Sequence, residues 1–130
     1  MNLDSLLAHR EKKVKKLQSE LALLEKKRVW FIEREESIGV ETLKLENESV
    51  EARKRGDLRR ERDLEEFLYS LKEAIPAVVE KRAEITKQIA TLQEHLKSAL
   101  QEKKVVEKLH KNHYNRQLLK QRKNENQESR

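Results

Sequence analysis

From residue 3 to residue 38, alternating steps of four and three residues land on Leu3, Leu7, Val14, Leu17, Leu21, Leu24, Phe31 and Ile38, with Arg10, Arg28 and Glu35 the only departures among eleven positions. A second series from residue 64 to residue 106 lands on Leu64, Leu68, Leu71, Ile75, Val78, Ile85, Ile89, Leu92, Leu96, Ala99 and Val106, and only Arg82 and Lys103 depart among thirteen. A mean step of 3.5 residues keeps side chains on one face of a helix, and that face is the seam of a coiled coil. An apolar seam repeated along a helix is not left in water, so the two helices must find partners within the chain or between chains.

Composition narrows the choice further. Charged residues make up 42% of the 130 and apolar residues 35%, against about 25% charged in an average globular domain. That ratio calls for a high surface relative to mass. With two Gly, one Pro, two Phe, two Tyr and one Trp, the chain excludes a turn-rich sandwich or barrel, a Gly-rich phosphate-cradling fold and a Pro/Gly-driven disordered linker. The reading is all-α: a long two-helix antiparallel coiled-coil hairpin. Cysteine is absent, which removes thiolate chemistry and fits a reducing compartment. The longest apolar run, Val29-Trp30-Phe31-Ile32, is far short of a membrane span, and Met1 to Asp4 does not resemble a secretion signal. A cytosolic protein is therefore expected.

Between the two series, over residues 39–63, the stepping reads as out of phase, and both glycines and the charged run Glu51 to Asp57 fall there. Gly56 suits the left-handed residue that ends a helix, and Asp57 suits the cap of the next one. Gly39, between Ile38 and Val40, is the other candidate break. A turn at Gly56 sets residues whose numbers sum to about 112 face to face, and Leu3 then meets Leu109 near the end of the second seam. The expected layout is one elongated domain, residues 1–130. It comprises helix 1 over about 3–54, a turn within 39–58 nearest Gly56, helix 2 over about 58–118, and a frayed basic tail over 119–130. The arms would be roughly 75 to 100 Å long at about 1.5 Å per residue. The competing arrangement is a parallel dimer of one continuous helix, since Gly56 inside a helix costs only ~1 kcal/mol. Pro76 removes one helical bond, to the carbonyl of Lys72, and predicts a kink within helix 2, because the seam resumes in phase beyond it.

Near the expected turn the apolar band widens. Phe67 and Ala74 flank the seam and, with Leu71 and Val78, form a stripe at steps of four, three and four. Two readings stand: local packing under residues 39–55, or a face that binds a partner. Trp30, one heptad after Leu23, points away from the first seam.

Charge is unevenly placed. Residues 103–123 hold eight cations against Glu107, a net of +7, and residues 10–16 hold five against Glu11. Residues 33–51 hold seven carboxylates against Arg34 and Lys44, a net of −5. An antiparallel hairpin brings the two basic segments to the same end, where nucleic acid, an anionic membrane or an acidic protein socket are candidate partners. No groove-reading module accompanies them, and Tyr114 is the one aromatic near the basic tail, so nucleic acid is not the expected partner. His110 and His113 are spaced i, i+3 but are read as exposed side chains, with no metal. Neither a phosphate loop nor a nucleophile paired with a base is present, so no enzyme, cofactor or small-molecule substrate is expected.

The segment Phe67-Leu68-Tyr69-Ser70-Leu71-Lys72-Glu73-Ala74-Ile75 resembles the Phe-x3-Leu-x2-Ala-Ile stretch of the FliJ family of flagellar export proteins. Ala99 to Leu109 resembles that family's charged run in the second helix, and Leu6-Leu7 followed by Arg10-Glu11-Lys12 is similar to the related YscO branch of injectisome stalk proteins. The resemblance implies a central stalk of a type III export apparatus, whose paired termini enter the pore of a hexameric export ATPase and whose stripe near the turn meets the cytoplasmic domain of the export gate protein. It implies gate contacts at Phe67, Leu71, Ala74 and Val78, although Val78 departs from the polar residue the family pattern calls for. The basic end that would seat in the ATPase comprises Arg10, Lys12, Lys13, Lys103, Lys104 and Lys108. The expected protein is a monomer, cytoplasmic and peripheral to the inner-membrane export apparatus. Whether the system is flagellar or an injectisome, and whether export chaperones are also bound, stays open. A generic coiled-coil scaffold is the alternative, and a basic coiled coil on nucleic acid the third reading.

Overall fold

A computed structural model describes residues 2–128. The fold is all-α: α1 (Leu3–Lys54) and α2 (Leu58–Glu128) form a helical hairpin, with no strand among the described residues. Asn2 starts α1, its Oδ1 accepting the Ser5 amide at 2.7 Å. At the other end the Gly56 amide donates to the Arg53 carbonyl at 3.1 Å and the Asp57 amide to the Ala52 carbonyl at 2.9 Å. These two bonds form the Schellman pair that closes a helix through a left-handed residue, and Gly56 is at φ 75°. Asp57 then opens α2 by accepting the Arg60 amide at 3.2 Å. Three residues thus reverse the chain.

Gly39 lies inside α1 and Pro76 inside α2, and both helices continue through them. Contrary to the expected fraying beyond residue 118, α2 stays helical through Glu128. Eight of residues 119–128 are Leu, Lys, Gln, Arg or Glu, the other two are Asn124 and Asn126, and neither Gly nor Pro occurs, so helix propensity sustains them without a seam. The helices are consequently unequal, 52 and 71 residues.

The structure divides into two compact units, one formed by the residues up to Leu21 with those from Thr91 onward, the other by Ala22–Ala90. In the first, Leu3, Leu7, Val14, Leu17 and Leu21 of α1 are buried or half-buried, as are Leu92, Leu96, Ala99 and Val106 of α2. Arg10 and Asp4 of α1 contact Glu102 and His110 of α2, so the two segments run antiparallel.

In the second unit the seam passes through Leu24, Arg28, Phe31, Glu35 and Ile38 of α1 and through Leu64 to Ile89 of α2, and Ile38 is only 1% exposed. Here the expectation that the stepping loses phase after residue 38 is corrected. Thr42, Leu45, Ser49 and Ala52 continue the same alternation of four and three and are all buried or half-buried. The seam therefore runs unbroken to the turn. Its apolar signal fades because two of its four positions hold hydroxyl residues and a third holds Ala. Small side chains at Ser49 and Ala52 suit the close approach that a three-residue connection imposes. Cross-helix pairs set the register: Arg82 Nε to Glu35 Oε2 at 3.0 Å, Lys72 to Glu46 at 3.2 Å, Arg60 to Glu48 at 3.6 Å.

Candidate functional site

The six cations assigned to the basic end all lie in the first unit, but they are not equivalent. Arg10 occupies a seam position, half-buried, and its Nη1 donates to Glu102 Oε2 at 2.7 Å. Lys13 approaches the same oxygen at 3.6 Å. Lys103, also in the seam and half-buried, sits 3.6 Å from Glu107 Oε1 one turn on. Arg10 and Lys13 share the Glu102 carboxylate across the two helices, whereas Lys103 is paired within α2. Lys12, Lys104 and Lys108 are exposed and have no ion pair among the described residues.

Lys104 and Lys108 belong to a longer pattern. Lys97, Gln101, Lys104, Lys108 and Lys111 follow steps of four, three, four and three along α2 and are all exposed. They face away from the seam residues Leu96, Ala99, Lys103 and Val106, so four ammonium groups form one row on the outer side of the helix. A count of cations along the chain finds the net charge of this stretch and misses the row, which appears only when the outer positions are stepped as the seam is. Close by, Val105 and Leu109 are exposed, one turn apart, so the row borders an apolar strip. Such a surface attracts carboxylates while desolvating a small apolar contact.

At the start of α1, the reading of His110 as a free exposed imidazole is corrected. His110 takes the seam position after Val106, is half-buried, and its Nε2 contacts Asp4 Oδ1 of α1. The sequence could not show this carboxylate, since it lies on the other helix. His113 is exposed, and together with Asn2, Leu3, Asp4, His110, Tyr114 and Gln117 it lines an open cleft of about 510 Å3. No group of three or more metal-ligating side chains occurs among the described residues.

The stripe assigned to a gate contact lies in the second unit. Of its four residues Phe67 alone is exposed, by 51%, whereas Leu71, Ala74 and Val78 are half-buried. Leu71 and Val78 are seam positions committed to α1, so the surplus face is narrower than the sequence suggests. Phe67 instead borders a shallow cleft of about 460 Å3 with Leu45, Leu64, Arg59, Arg60, Asp57 and Asp63. Beside the turn, Arg53 Nε donates to Glu61 Oε1 at 2.7 Å and its Nη2 lies 3.7 Å from Glu65. The hydrogen bond to Glu61, and then that carboxylate's charge, hold the guanidinium pKa above its ordinary value. Farther along α1, Trp30 stacks edge-on against Phe31, with centroids 4.8 Å apart, and remains largely exposed.

Comparison with protein-family models, with curated proteins and with solved structures returns no match. Among the described residues, no helix is long and apolar enough to cross a membrane.

Proposed function

We propose that this chain is the non-enzymatic central stalk of a type III protein export apparatus, coupling a hexameric export ATPase to the export gate. The observation that carries the reading is the first unit: the start of α1 paired antiparallel with α2 as a two-helix coiled coil, bearing an outward row of unneutralised lysines. A narrow helical pair with cations on its flank has the chemistry of a shaft that seats in an acidic ring. The FliJ-like stretch from Phe67 to Ile75 supports the same reading from the sequence.

The geometry refines which residues act. Lys12, Lys104 and Lys108 are the groups free to meet ATPase carboxylates, Arg10 and Lys13 tie the two helices of the shaft together, and Lys103 is engaged by Glu107 within α2. At the gate end Phe67 is the anchor, with the half-buried edges of Leu71, Ala74 and Val78 forming the seat beneath a partner. The site of action is the cytoplasmic face of the inner membrane, where such an apparatus works.

The test is stimulation of ATP hydrolysis by a purified export ATPase from the same source. Replacing both Lys104 and Lys108 with Glu should abolish stimulation while far-UV circular dichroism stays helical. Undiminished stimulation by that variant would remove the shaft reading, and a scaffold without ATPase contact would take its place.

A further inference from the structure

The second unit carries a second stripe, on the side of α1 away from the seam. Val29, Glu33, Glu36, Val40, Leu43, Asn47 and Val50 follow steps of four and three without interruption, and all seven are exposed. Four are apolar, with Val40 exposed by 71% and Leu43 by 61%. A helix with one partner needs one seam, and this one presents two. The carboxylates within and beside the outer stripe are also unspent: Glu33, Glu36 and Glu41 have no ion pair among the described residues, whereas Glu35, Glu46 and Glu48 are paired across to α2.

The first unit carries the complementary element. The contact of Asp4 with His110 joins the start of α1 to α2, and α2 continues to Glu128 with every side chain from Lys111 to Gln127 exposed except the half-buried Leu118. Residues 111–123 hold five cations, Lys111, Arg116, Lys120, Arg122 and Lys123, and no carboxylate. None of the five has an ion pair among the described residues. Arg116, Leu119 and Lys123 fall on one side of the helix, flanked by Lys120, and line an open cleft with Arg122 and Asn126.

We propose that the α2 extension of one copy of this chain docks along the outer stripe of α1 in a second copy. Charge complementarity and length select this occupant. The extension offers five cations with no acid up to Lys123, and the stripe offers acids without partners. An 18-residue helix and the 22-residue stripe are roughly 27 and 33 Å long at 1.5 Å per residue. Leu119 supplies the apolar contact to Val40 and Leu43, while Arg116, Lys120 and Lys123, which bracket it along the helix, lie in the field of Glu33, Glu36 and Glu41. Because attraction between exposed charges carries much of the contact, the association is salt-sensitive. The inference does not depend on the stalk reading.

Sedimentation of the full chain tests it. At about 0.05 M salt the chain should associate with rising concentration, and at about 0.5 M it should return to monomer, as screening shortens the reach of charge. A chain with both Glu33→Lys and Glu36→Lys, and a chain with both Arg116→Glu and Lys123→Glu, should each self-associate at least tenfold more weakly. Mixing the two should restore association, because each variant now carries the other's complementary charge. All four positions are exposed, and circular dichroism verifies that each variant is folded. A monomer at low salt up to about 100 μM, a dimer indifferent to salt, or association lost with the stripe variant but untouched by the extension variant would each overturn the proposal.

Discussion

Arg82 of α2 reaches across to Glu35 of α1, its Nε 3.0 Å from Oε2, at seam positions whose neighbours along each helix are apolar. The nitrogen is buried and, despite the short distance, not aligned for a hydrogen bond. The contact is therefore an ion pair held by proximity, with each side chain about a third exposed. Charges in a seam rarely add net stability, and what they offer is a penalty on wrong alignments. Sliding α2 by one heptad would set Arg82 against Arg28 or Thr42 and leave Glu35 facing Ile89 or Ile75. The pair thus selects the register that the apolar positions, repeating every heptad, leave degenerate.

Replacing Glu35 with Ala strands Arg82 and should lower unfolding stability by about 1 to 2 kcal/mol, the partial exposure limiting the loss. Replacing both residues with Leu should restore or exceed the original stability. Urea denaturation of the two single variants and the double variant gives the coupling. A double variant less stable than either single one would refute the register argument.

The two glycines should respond with opposite signs. Gly39 is helical and a Cβ there meets nothing within 4 Å, so Gly39→Ala should stabilise by about 0.5 to 1 kcal/mol. Gly56 has equal room but sits at φ 75°, where an L side chain costs about 1 to 2 kcal/mol, so Gly56→Ala should destabilise. Thermal midpoints measured side by side settle both signs.

Ile38 and Leu43, five residues apart on α1, occupy opposite environments: the first is 1% exposed and the second 61%. At about 0.5 M salt, where the chain is a monomer, Ile38→Ala should cost about 2 to 5 kcal/mol, whereas Leu43→Ala should stay within about 0.5 kcal/mol. Comparable losses at the two sites under those conditions would show that the outer stripe of α1 is covered even in the monomer.

Phe67 and Leu71 separate binding from folding. Phe67→Ala removes an exposed ring and should leave stability nearly unchanged while abolishing gate binding and secretion under the proposed function. Leu71→Ala opens the seam and should lower the thermal midpoint as well. Pull-down with the gate's cytoplasmic domain, beside a melting curve for each variant, reads the two effects, and retained gate binding by Phe67→Ala would discard this anchor.

Much of the fold can be read one residue at a time. Leucines at heptad spacing specify helices and the faces they bury, and Gly56 with Asp57 carries in its own chemistry the reversal that the backbone adopts. The candidate site was less legible. Lys103 and Lys104 are neighbours of equal charge, yet one is half-buried beside Glu107 and the other is exposed. Leu71 and Phe67 look like members of one apolar band, yet only Phe67 is available. Such distinctions depend on which way a side chain leaves the helix relative to a partner helix far away in sequence.

The sequence by itself determined that this chain is helical, that each helix has one strong apolar seam, and that its charge is polarised, because these follow from local spacing and composition. Tertiary structure decided the rest. It kept Thr42 and Ser49 in the seam although they are polar, joined Asp4 to His110 and Glu35 to Arg82 over long stretches of chain, and carried α2 beyond the reach of α1. The physical reason is that pairing energy is shared along an interface: strong apolar layers hold weak polar ones in register, and no residue's own preference reveals which role it will be given.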